Sequence, residues 1–189
     1  MVQKIGKRYR HTATRVPSPP INIETSKVKK DSNLKGLSFT FDNKDGTLHL
    51  VTYNTNYSDF GVAASQDDGL AVIGVFFQIR RKRGSRFSSE LKNIRKPENE
   101  VAVPELNLLK LVPQLRDLSR TSFYSYKGSL TTPPCYQSVN WIVLKKPIAV
   151  SRKEFKEMNA LRNPEKHSMC GNFRPTQPLN HRTVSEYSG

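Results

Sequence analysis

The chain has 189 residues, 35% hydrophobic and 25% charged, with 31 Lys and Arg against 16 Asp and Glu and a formal charge of +15. That length supports one ordinary soluble domain with a real core, not comfortably two. No apolar run can span a bilayer, and two cysteines make neither a disulfide framework nor a structural zinc site.

Residues 1–20 read as a basic flexible arm, with Lys4, Lys7, Arg8, Arg10 and Arg15 ahead of the extended "PSPP". The first residues contain no apolar h-region, so the expected compartment is cytoplasmic, with secretion as the alternative if the N-terminus is incomplete. "LKGLSFTFDNKDGTLHLVTY" predicts a strand, a turn over "DNKDG" and a second strand. In that second strand the two-residue period puts Leu48 and Leu50 on one face and His49 beside Val51 on the other. By periodicity alone His49 is a core histidine with a satisfied partner.

"SDFGVAASQDDG" is a loop with one helical turn, and it opens the strand "LAVIGVFFQI". The Asn56 sequon inside it matters only on the secretory path. "RRKRGSR" (80–86) reads as an exposed loop, with a nuclear or nucleic-acid patch and a protease-processing site as alternatives. Residues 84–100 are polar. "VPELNLLKLVPQLRDL" spaces Leu106, Leu109, Val112 and Leu115 three apart, and Pro113 must kink or end any helix there. Pro133-Pro134 forces a turn before the strand "SVNWIVL". Ser151 followed by Glu154 is a capping-box pattern opening a short helix in "SRKEFKEMNALR", and "GNFRPTQPLNHRTV" is an extended tail. The fold class is mainly β (α+β), one domain with short peripheral helices.

Four blocks in order, "SPPINIETSKVKKDSNLKGLSFTFDN", "DGLAVIGVFF", "YKGSLTTPPCYQSVNWIVLKKPIAVS" and "FRPTQPLNHRTV", resemble the α-type carbonic anhydrases from about residue 18 to 184. The resemblance implies a twisted, mostly antiparallel sheet with a zinc ion at the foot of a cone-shaped cleft. It also implies a lyase that hydrates carbon dioxide to bicarbonate. Three neutral imidazoles leave the metal charge uncompensated and one position open, so bound water ionises near neutrality. On this resemblance His49 is the counterpart of the third zinc histidine. Val51, Val72, Leu130, Val139 and Trp141 match the apolar wall of the carbon dioxide pocket. Thr131 matches the threonine that orients zinc hydroxide, and Thr132 its neighbour in the cleft.

The sequence departs from that pattern where the metal should be held. The block with the family's His-x-His strand, its acidic supporting residues and its proton-shuttling histidine is absent between "LSFTFDN" and "TLHLV", so central strands are expected to be missing. Thr47 stands where a supporting glutamate is usual, a change that typically costs 10–100-fold in affinity or activity, and Thr52 where a histidine usually follows. His11, His167 and His181 fall in the arm, a polar loop and the tail, and no His-x-His exists.

Residues 21–185 are thus expected to form a truncated domain with zinc weakly held or absent and little or no hydration activity. Carbon dioxide and bicarbonate are its substrates if it is active. A splice variant, an incomplete gene model and a diverged binding protein all fit. The last would act on a protein partner through the arm and the "RRKRGSR" loop. Nucleic acid is not the expected partner, because the basic clusters lack interleaved aromatics apart from Tyr9 and Phe87. In secreted relatives a cysteine before the "SPINI"-like segment pairs with the counterpart of Cys135. None precedes it here, and pairing of Cys135 with Cys170 stays open.

Overall fold

β-Branched and aromatic residues favour strands in five segments of the chain. A computed structural model of the chain describes residues 37–41, 46–81, 107–163 and 165–189. The basic arm, the segment 84–100, the "RRKRGSR" cluster beyond Arg81 and the turn residues 42–45 lie outside that set.

β1 (Leu37–Phe41) and β2 (Gly46–Tyr53) pair antiparallel, Phe41 opposite Gly46, as the hairpin reading predicts. β3 (Leu70–Arg80), β4 (Phe123–Gly128), β5 (Val139–Ser151) and β6 (Ser185–Tyr187) complete a six-stranded sheet in the order β1-β2-β3-β5-β4-β6. Only β3 and β5 run parallel within it, so the sheet is mixed but mostly antiparallel. The short strand β6 is not anticipated by the sequence reading.

β3 sits between β2 and β5 and is buried on both faces, which is why its sequence is a nearly unbroken apolar run. On one face Leu48, Leu50, Ile73, Val75, Phe77, Ile142 and Leu144 pack with residues from the helices α2 (Leu108–Leu111) and α3 (Arg152–Asn159). On the other, Val72, Tyr126, Val139, Trp141 and Val143 pack with Ala63 and Ala64 of α1 (Phe60–Ala64). The register between β3 and β5 slips between Val75 and Phe77, opposite Lys145, Lys146 and Pro147. A proline has no amide hydrogen for a ladder and is accommodated at such an irregularity.

The helices end where local chemistry ends them. Asp59 caps α1 by accepting from the Val62 amide at 2.9 Å. α2 stops before Pro113, which opens a 3-10 turn, and the break leaves Leu109 exposed while Val112 is fully buried. The helix thus ends at Pro113 as the sequence predicts, and Leu106 lies outside the described residues. α3 carries the expected capping box: Ser151 Oγ accepts from the Glu154 amide at 3.2 Å, and the Glu154 carboxylate accepts from the Ser151 amide at 2.8 Å. Ser151→Ala is expected to cost about 1 kcal/mol, read as a lower urea midpoint; an unchanged midpoint would show that packing alone holds α3. No helix among the described residues is long and apolar enough to cross a membrane.

Candidate functional site

His49 lies on the middle of β2, opposite Ser38 of β1 and Gly74 of β3. The pleat turns it toward the face that carries Trp141, and the two rings meet in a T-shaped contact, centroids 5.1 Å apart with 75° between planes. It is 2% exposed. Burial makes the imidazolium costly and pushes its pKa from the ordinary 6.5 down to about 3, so His49 is neutral at physiological pH.

The five expected wall residues come together on this face. Val72, Val139 and Trp141 are buried in one cluster, and Val51 and Leu130 pack against it. Val72 is opposite Val51 on one side and Trp141 on the other, which joins three strands into one apolar surface. The Trp141 Nε1–H donates to the Ser129 carbonyl at 3.2 Å, so the buried indole keeps its polar end satisfied.

Thr131 lines a small cleft over Trp141, together with Tyr126, Gly128, Ser129, Arg174 and Gln177. Thr132 does not reach it; that residue is exposed, and its carbonyl accepts from the Cys135 amide at 2.9 Å. The sequence reading did not single out Arg174 or Gly128. Arg174 Nη1 donates to Ser129 Oγ at 3.0 Å across 45 residues of sequence, a contact with no local signature. At Gly128 a Cβ would stand 2.7 Å from Trp141 Cδ1 and 3.2 Å from the Tyr126 ring. Its buried place in a strand was the available clue to such a close approach. Gly128→Ala is expected to destabilise by about 1–3 kcal/mol, measured by urea unfolding; no loss would mean that the indole shifts without resistance.

Among the described residues, the strand positions paired with His49 supply no second zinc ligand. The register positions beside it hold Ser38 and Gly74, which are not zinc-ligand types. His167 and His181 are exposed. No group of three His, Cys, Asp or Glu side chains able to hold a metal occurs among the described residues. Cys135 is a free thiol.

Comparison with known proteins bears on the family of the chain. The family model for the eukaryotic-type carbonic anhydrases matches residues 44–188. The chain is 36% identical to carbonic anhydrase 6 of Homo sapiens over 72% of its own length and 45% of the relative's. It is 36% identical to carbonic anhydrase 3 of Equus caballus, over 72% of this chain and 53% of that one. With carbonic anhydrase 7 of Mus musculus it shares 38% identity, over 79% and 58%. The chain spans about half the length of these curated relatives. The matched region takes in β2 to β6, the histidine strand and the whole apolar wall, and on that ground the chain belongs to the eukaryotic-type carbonic anhydrase family.

Proposed function

We propose that this chain descends from zinc lyases that hydrate carbon dioxide, and that it has little or no such activity itself. The observation that carries this reading is the setting of His49, one imidazole whose cross-strand neighbours are Ser38 and Gly74. With one protein ligand a zinc ion is mostly hydrated, weakly held and loosely placed. The wall of Val51, Val72, Leu130, Val139 and Trp141 then persists as architecture because it also forms the core of that face, and Thr131 persists at the lip of the cleft above it. Zinc is the family's cofactor, and this chain holds it weakly or not at all.

The expected result is a purified chain that keeps far less than one zinc after dialysis against a weak chelator. It hydrates carbon dioxide no faster than buffer and melts at the same temperature with or without the chelator. About one retained zinc per chain, with hydration that disappears in His49→Ala, would overturn the reading. A second reading, a catalytically silent binding protein, is favoured by the charge of +15.

A further inference from the structure

β3 and β5 are parallel neighbours, so their C-terminal ends emerge at the same end of the sheet, Arg80 opposite Ser151. Adjacent strands lie about 4.8 Å apart. Arg80-Arg81 therefore leaves the sheet beside Arg152-Lys153, the first residues of α3. Lys156 follows one turn later on the same helix, three and four residues from Lys153 and Arg152, hence on a shared side. All five side chains belong to exposed residues.

The two carboxylates of α3 are withdrawn from this surface. Glu154 is 1% exposed and engaged in the capping box, and Glu157 is buried. The ion pairs among the described residues, Arg120–Asp117 and Lys145–Glu186, involve none of the five cations. The Arg80 guanidinium is already oriented, donating from Nε at 2.9 Å and Nη2 at 2.8 Å to the Gln78 side-chain oxygen.

We propose that the basic rim of Arg80, Arg81, Arg152, Lys153 and Lys156 is a docking surface for an acidic segment of a partner polypeptide. Carboxylates at alternate residues of an extended strand repeat about every 6.6 Å, which suits a row of cations on strand ends and one helix turn. Arginine forks favour planar carboxylates held in two-point contact. The helix turns Phe155 and Met158 into the core, leaving nothing apolar to insert into a bilayer. Its exposed side carries no aromatic residue on which bases could stack. The inference deepens the binding-protein reading and does not depend on the loss of hydration.

The test is fluorescence anisotropy of a short Glu/Gly-repeat peptide titrated with the full chain. A single-stranded RNA of equal charge and phosphatidylserine vesicles serve as rival probes. The expected result is peptide binding that weakens as salt rises. It should fall about tenfold in Arg152→Glu/Lys156→Glu and by less than about threefold in Arg116→Glu/Lys127→Glu, which changes net charge equally at other exposed positions. Failure of the native chain to bind the peptide, equal losses in the two variants, or tighter binding of RNA or vesicles through the same residues would each overturn the proposal. Zinc content and hydration rate are measured separately, so failure here leaves the descent reading standing, and the reverse holds too.

Discussion

Trp141→Ala is expected to lower the unfolding free energy by about 3–5 kcal/mol. The indole is 3% exposed at the centre of its cluster. It meets His49 in a T-shaped contact at 5.1 Å and lies nearly parallel to Tyr126 at 6.4 Å. Its removal leaves a cavity bounded by three strands, and it strips the Ser129 carbonyl of its donor. The rigid sheet can collapse into that space only in part, so the lost contacts are not recovered. Trp141→Phe separates the two effects: it keeps a ring and loses the N–H, for a smaller cost of about 1 kcal/mol from the hydrogen bond. Urea unfolding followed by far-UV circular dichroism measures both, since the chain has a single tryptophan and its fluorescence is lost with it. A loss below about 1 kcal/mol in Trp141→Ala would show that this face is not part of the cooperative core.

Acid should weaken the fold through His49 well before the pKa of the folded imidazole is reached. The folded value is about 3, against an ordinary 6.5, because burial opposes the charge. As pH falls below 6.5 the unfolded chain takes up the proton and the folded chain does not, so protons favour unfolding. Stability from this group is therefore full above pH 6.5, declines with falling pH, and levels off only near pH 3. The loss amounts to about 2 kcal/mol between pH 7 and pH 5, and about 3 kcal/mol by pH 4. Other carboxylates titrate in part of this range, so the comparison is with His49→Gln, which is polar and does not titrate. The native chain should lose more stability than the variant over that interval, with the difference already present at pH 5. Parallel stability curves for the two proteins would mean that His49 reaches solvent or a counter-charge in the fold.

Much of the molecule was legible because its signals are local. The alternation through Leu48, His49 and Leu50, the apolar run of β3 and the Ser151–Glu154 cap each depend on residues close in sequence. Each takes the predicted form. β6 was not legible, because Ser185–Tyr187 is short and polar. It is ordered by distant partners, with Tyr187 stacked on Phe123 and Glu186 paired with Lys145. The end of the α-helix ahead of Pro113 was legible too, since proline cannot continue the hydrogen-bond ladder, and a 3-10 turn follows it.

By itself the sequence determined the family and the two faces of β2, since these depend on which residues are present and on the period of a strand. Only the tertiary structure decided what His49 meets: the Trp141 indole in a T-shaped contact, in a setting dry enough to keep the imidazole neutral. It also decided that Ser38 and Gly74 flank it, and that Arg174 reaches Ser129 at the cleft. Those contacts join positions far apart in the chain, and their geometry follows from strand order and register, which local propensity does not encode.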